Sequence, residues 1–423
     1  MRAAQKNLTY GFYTILSLPA TAMGFALSVQ IACLSWILST KYGLNLEEVG
    51  LVWLSGPLAG IIGQIVVGII SDKVWFWNGR RRPFILIGGT IAALMLLALP
   101  YIDVINEATG IDSLLGIALT IALTLDLAVN VSFNPTRSLI ADVTPPGDKR
   151  TLGYTWMQTI SGFFGVLAYL IGAQLGNYTL IYGGAAFVFL ISFFPTFFIE
   201  EPRELVADTE EGEGQGSRST NWTEFLKVCL AHSFTWLGVQ VMFIFTYGYI
   251  KEVIMGFESE ATLDEEQSFT LGQSIGYAFA ILNTVGFLLP TLVLEPLARS
   301  IGRVRTHMLA IAVMAVGYGL TVFFATSHTM LYLMMIIIGV GWAAVVSLPF
   351  AIMSEFVDQN RMGFFMGLFN LSVVLPQIVA ALLGDFISEQ PDRSIIFVIS
   401  GVSLAISAVL WLLVKENKSA TVQ

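Results

Sequence analysis

The stretch IALTLDLAVNVSFNPTRSLIAD, Ile121 to Asp142, is long and apolar enough to cross a lipid bilayer as a helix, yet it carries Asp126, Asn130, Asn134 and Arg137. Their spacing places them on one stripe of a helix. A carboxylate at mid-bilayer costs roughly 2.5–3.5 kcal/mol on the lenient insertion scale, so the stripe should face a bundle interior or a watery cavity. One reading is an Asp–Arg pair that ties helices together; the other is a proton or ligand site beside a transport path. Buried ion pairs stabilise poorly beside apolar packing, which favours the second. Eleven residues of helix rise about 16 Å, so Asp126 and Arg137 are not expected to pair directly.

The rest of the chain extends that reading. Of 423 residues, 55% are hydrophobic and only 12% charged, about half the charged share of a soluble domain. This predicts an all-α membrane protein of twelve transmembrane helices, at roughly 14–38, 47–70, 84–104, 113–141, 154–176, 178–199, 223–250, 270–297, 305–326, 329–354, 362–384 and 394–414. A charged, Gly- and Ser-bearing stretch divides six spans from six. The expected organisation is an N-terminal six-helix bundle at 1–199, a cytoplasmic linker at 200–222 and a C-terminal six-helix bundle at 223–423.

Seventeen of the 21 Lys and Arg residues fall on the side that holds both termini, three fall on the other, and Arg137 lies within a span. The positive-inside rule then predicts cytoplasmic termini and a multi-pass protein of the plasma or inner membrane. The net charge of −9 comes largely from the linker acids Glu210, Glu211 and Glu213 and from the segment Glu258–Glu266, and no basic field for nucleic acid is present. Cys33 and Cys229 lie in apolar segments and the three histidines are scattered, so no disulfide framework, metal site or cofactor is indicated. Walker and dinucleotide patterns and a Ser–His–Asp order are absent, which argues against an ATP-driven machine or an enzyme.

The halves echo each other. Asp72 with Gly79-Arg80 recurs as Glu295 with Gly302-Arg303 at a common offset of 223, and Asp142 with Lys149-Arg150 recurs more loosely as Glu355 with Arg361. A parallel six-span repeat fits a two-bundle transporter with its site near the midplane. The basic loop Gly79-Arg80-Arg81-Arg82-Pro83 is read either as a topology signal or as a cytoplasmic gate; the gate reading takes in Asp72, Arg80, Arg81, Arg82, Asp142, Glu295, Arg303, Glu355 and Arg361. Gln30, Gln64, Gln158, Gln240, Asn283, Asn370 and Gln377 each need a partner inside an apolar span. Each is interhelical glue or part of a surface for a hydroxyl-rich ligand. Trp236, Trp342, Tyr154 and Trp156 are candidates for stacking on sugar rings, against the plainer reading of packing.

Three motifs carry a family resemblance. Trp53-Leu-Ser-Gly-Pro-Leu-Ala-Gly through Ser71-Asp72 and Gly79-Arg-Arg-Arg-Pro-Phe84 resembles the second span and inner loop of the sucrose/proton symporters. Asp126, Asn130, Pro135, Arg137 and Leu139-Ile-Ala-Asp142 are similar to their fourth span. Ser347-Leu-Pro349-Phe350-Ala351 and Gly367-Leu-Phe-Asn370 through Pro376-Gln377 look like spans ten and eleven. The resemblance covers nearly the whole chain and implies the major facilitator fold, among glycoside–cation symporters. It implies a monomeric, proton-coupled importer of a disaccharide such as sucrose or maltose, with Asp126 as the proton site that also contacts sugar, and the family's fourth-span arginine at Arg137. Two departures stand out. Phe245-Thr246-Tyr247-Gly248 lacks the plant carriers' aspartate, and the loop Lys41–Leu46 lacks their histidine. An uncoupled or sodium-coupled sugar carrier, or a non-transporting sugar sensor, remains the alternative.

Overall fold

The computed structural model describes residues 5–61, 74–111, 113–145, 148–202, 220–358 and 361–415. Gln64, Asp72 and most of the expected linker lie outside these residues. The described chain is built of helices, and its only β-type pairing among them is an isolated bridge between Phe76 and Gly79. Ten helices are long and apolar enough to cross a membrane, judged by length and composition among the described residues.

In chain order, α1 runs Tyr10–Thr40, α2 Leu46–Trp53, α3 Arg82–Ala98, α4 Leu114–Val143, α5 Asp148–Leu175 and α6 Asn177–Phe198. Then follow α7 Trp222–Tyr249, α8 Glu265–Leu289, α9 Arg303–Phe324, α10 His328–Ser347, α11 Met362–Leu382 and α12 Ile395–Trp411. α2 breaks at Leu54 and helix resumes at residues 55–61, so the expected span at 47–70 starts as two pieces. The apolar α12, at 17 residues, is shorter than a usual span. π-type turns at Ile250–Ile254 and Pro290–Leu294 prolong α7 and α8.

Helix starts follow the local sequence. Thr9 accepts the Phe12 N–H at α1, and Ser113 accepts the Gly116 N–H at α4. Asp264 and Gln267 form a reciprocal capping box at α8. Hydrophobicity runs around most faces of these helices, as expected for elements that meet either lipid or protein on every side.

Contacts divide the chain into two compact units, one of Met1–Tyr42 and Ser55–Glu213 and the other of Gly43–Leu54 and Gly214–Gln423. In the first, α1 packs along α5 and α6, and α3 lies against α4 and α6. A Cβ on Gly88 would meet Ser132 Oγ at 2.2 Å and the Ala128 carbonyl at 2.5 Å, so only glycine lets α3 approach α4 this closely. In the second unit, α7 packs on α11 and α12, while α10 lies against α8 and α9. The segment carrying α2 groups with this second unit, against α11 and the short helix Gly384–Ser388, whereas the division at the linker had placed it in the first bundle.

Candidate functional site

Three elements of the first unit converge on Asp126, which α4 carries at a buried position, 5% exposed. Gln30 of α1 donates from Nε2 to both carboxylate oxygens, at 3.1 Å each. Ser55, the first residue after the break at Leu54, donates from Oγ to Oδ2 at 2.7 Å. Both partners are themselves buried, and among the described residues no cation pairs with the carboxylate. The Gln30 orientation is dictated by chemistry, because only its NH2 end can face two carboxylate oxygens. Ser55 lies within the Trp53-Leu-Ser-Gly motif, but at 71 residues from Asp126 its pairing with that carboxylate has no mark in the linear pattern.

The polar stripe diverges below Asp126. Asn130 turns its Nδ2 back onto the Asp126 carbonyl at 2.8 Å. Asn134 is half-buried, and Arg137 is exposed with its guanidinium 4.3 Å from the Phe133 ring centroid. Arg137 therefore neighbours an aromatic face and not Asp126, in keeping with the helical rise. Gln158 of α5 is exposed and makes no hydrogen bond among the described residues. Tyr154 donates to the Arg137 carbonyl at 3.2 Å, and Trp156 donates to Thr14 Oγ1 at 3.0 Å while stacking on Tyr10. Both aromatics thus pack within their own unit.

The second unit assembles a different set. Gln377 of α11 donates from Nε2 to Gln240 Oε1 of α7 at 3.1 Å, which joins two residues that the sequence left 137 apart. Asn283 of α8 donates to the Phe279 carbonyl at 2.9 Å and accepts the Trp342 indole N–H at 3.2 Å. Trp236 donates its own N–H to His232 Nε2 at 2.9 Å and meets Trp342 edge-on, centroids 6.2 Å apart at 82°. Gly286 leaves room for this, since a Cβ there would meet Trp342 Cδ1 at 2.6 Å. Asn370 is half-buried on α11 and makes no hydrogen bond among the described residues.

The expected gate acids and bases sort into separate pairs. Arg81, only 5% exposed, donates from Nε to Asp142 Oδ2 at 2.9 Å. The backbone N–H groups of Arg80, Arg81 and Arg82 all donate to the Glu201 carboxylate at 2.7 Å, and Arg82 also reaches the Ile199 carbonyl at 2.8 Å. Glu201 thus anchors the start of α3, where unpaired N–H groups favour an anion; the residue sat in the predicted linker and was given no role. In the second unit, Arg303 pairs with Glu355. Glu295 does not join Arg303 as its echo of Asp72 suggested: it pairs with Arg299 one helical turn on, at 2.5 Å, because the i,i+4 neighbour lies on its own face. Arg361 spreads over the Phe364 and Phe365 rings, 4.9 and 5.9 Å from their centroids, in place of an acid.

A family model described as Major Facilitator Superfamily matches residues 16–375 and 262–423. Sucrose transport protein SUC4 of Arabidopsis thaliana is 23% identical over 424 residues, covering 86% of this chain and 81% of that protein. Sucrose transport protein SUT2 of Oryza sativa subsp. indica is 24% identical, over 86% of this chain and 84% of its own length. The general alpha-glucoside permease of Schizosaccharomyces pombe is 30% identical, but over 37% of this chain and 31% of its own. Among solved structures, the nucleoside transporter NupG superimposes with a TM-score of 0.69 at 13% identity, covering 97% of this chain and 98% of that one. The xylose transporter XylE from E. coli gives 0.68 at 14% identity, with 97% of both chains covered. At these identities the structural likeness concerns the fold alone.

Proposed function

The chain belongs to the major facilitator superfamily, and from that premise we propose that it is a proton-coupled symporter of a disaccharide such as sucrose or maltose, with Asp126 as its proton site. The observation that carries this reading is the setting of Asp126: a buried carboxylate whose described partners are the neutral groups Gln30 and Ser55. An ionised carboxylate here has no counter-ion among the described residues, and taking up a proton removes the cost of holding a bare charge away from water. Both partners are also reversible. An amide presents its oxygen when it turns, and a hydroxyl both donates and accepts. Either can serve the neutral acid as well as the carboxylate, which a lysine or arginine could not do.

The sucrose and alpha-glucoside carriers among the relatives support a glycoside as cargo. In this reading the bundles at 1–199 and 223–423, with Gly43–Leu54 of the first range moving with the second bundle and the linker at 200–222 joining them, rock about a midplane site in alternating access. The excess of Lys and Arg on the side of both termini orients them to the cytoplasm of a plasma or inner membrane. Arg81–Asp142 and Arg303–Glu355 are then a paired cytoplasmic gate, one ion pair in each half. Outside, Asp126 takes a proton and sugar hydroxyls bridge the polar groups of both halves; inside, sugar and proton leave. A single chain suffices for this cycle.

The test is sucrose and maltose uptake into proteoliposomes, with and without an inward proton gradient, for wild type and Asp126→Asn. Accumulation driven by the gradient and lost in the variant is expected. Uptake indifferent to both gradient and substitution would mean a uniporter, and would leave Asp126 a structural residue.

A further inference from the structure

The sequence places His232 at the start of an apolar span, where a structural or interfacial role is its plainest reading. Its geometry is more particular. The ring is 3% exposed and stacks on Phe369, with centroids 4.8 Å apart and planes within 11°. Its Nε2 lies 2.9 Å from Trp236 Nε1. An indole nitrogen only donates, so Nε2 must hold a lone pair and the imidazole proton must sit on Nδ1. That bond fixes the tautomer and leaves His232 unable to bind a second proton at Nε2 while Trp236 stays in place.

Trp342 is held in the same manner. Its N–H ends on Asn283 Oδ1, its ring fills the space that Gly286 leaves open, and Phe243 meets it edge-on at 5.3 Å. Each indole therefore has its one polar hydrogen committed to the protein. Neither can donate to a sugar hydroxyl without breaking that half-buried bond, so a sugar would meet these residues through their rings. In the edge-on pair each indole fixes the tilt of the other, and a ring face held at a set tilt suits the apolar C–H face of a pyranose ring.

We propose that His232 is a positioning residue for substrate recognition: by accepting the Trp236 N–H and stacking on Phe369, it holds Trp236 at right angles to Trp342 for contact with a pyranose ring. This rests on the reading of the protein as a glycoside carrier. It also assigns Asn283 to the support of Trp342 and removes it from the set of groups facing sugar.

The experiment is a double-mutant cycle in proteoliposomes. Sucrose uptake is measured for wild type, His232→Leu, Trp236→Phe and the double variant, with His232→Gln as the conservative control that retains an acceptor. Each single change is expected to raise KM about tenfold with maximal rate within about twofold, and the double to be no worse than either single. His232→Gln should return KM to within about threefold of wild type. Effects that multiply in the double variant, or a KM unmoved by His232→Leu, would overturn the proposal. The indole N–H vibration of Trp236, isolated by difference against Trp236→Phe in ultraviolet resonance Raman spectra, provides a readout that needs no transport. It should shift to its unbonded position in His232→Leu, and a band that stays put would overturn the positioning role. A wild type that transports no sugar, together with a band that does shift in His232→Leu, would sink the glycoside reading while leaving the His232–Trp236 bond established.

Discussion

The two units treat buried polarity in opposite ways. In the first, Asp126 is met by Gln30 and Ser55, one ionisable group held by two neutral ones. In the second, the corresponding interior holds the Gln240–Gln377 pair and two indoles pinned by His232 and Asn283, with no acid among these residues. The first arrangement suits a change of protonation, since its partners can donate or accept. The second suits a fixed shape, since both indole N–H groups already have their acceptors, in His232 and Asn283, and neither ring can turn without losing its bond. Under the proposed function, coupling is thus concentrated in one half and ring recognition in the other.

That contrast can be broken at its strongest point first. Asp126→Asn should abolish gradient-driven accumulation while leaving downhill exchange measurable by counterflow; a variant that still concentrates sugar would dissolve the contrast. Gln30→Leu comes next. It removes the donor to both oxygens, and an unsatisfied buried anionic acceptor costs about 1–3 kcal/mol or more, so uptake should fall about tenfold or further. Ser55→Ala, which deletes one of the contacts, should cost less, and its rank below Gln30→Leu is itself a check on the geometry.

The charged pairs give a third comparison. Arg81 and Asp142 have side chains 6% and 10% exposed, against 45% and 11% for Arg303 and Glu355. Stranding one partner of a buried pair costs about 3–5 kcal/mol, whereas a surface pair contributes about 0–1 kcal/mol. Arg81→Ala should therefore lower the melting temperature in detergent well beyond Arg303→Ala. Equal losses would mean that the two pairs are energetic equivalents despite their exposure. The smallest effect belongs to the second unit: Gln377→Leu removes a neutral amide bond worth about 1 kcal/mol, and should shift KM no more than about fivefold without altering coupling.

Much of the fold was legible because hydropathy is a local property. The span expected at 178–199 is the helix Asn177–Phe198, and that expected at 305–326 is Arg303–Phe324. The stripe of Asp126, Asn130 and Asn134 does run along one helix, α4. The break at Leu54 interrupts a span expected to be continuous, although Pro57 has no N–H to donate to the Trp53 carbonyl and so marks the place. The attachment of Gly43–Leu54 to the second unit was not legible, since it depends on Gly50 and Gly384 meeting backbone of other elements: a Cβ on Gly50 would lie 2.3 Å from the Ala381 carbonyl.

Among the site residues, the linear order already marks the positions whose chemistry an apolar span cannot ignore: an acid at Asp126, amides at Gln30, Gln240, Asn283 and Gln377, and acids and arginines repeated at an offset of 223. That much follows from the cost of polar groups in hydrocarbon, a property of each residue and its neighbours along the chain. The pairings come from folding. Gln30 finds Asp126 across 96 residues, Glu201 finds the N–H groups of Arg80 to Arg82 across about 120, and Glu295 turns to Arg299 instead of Arg303. A hydrogen bond needs its partners within about 3 Å, and helix packing alone sets which distant donors and acceptors come that close.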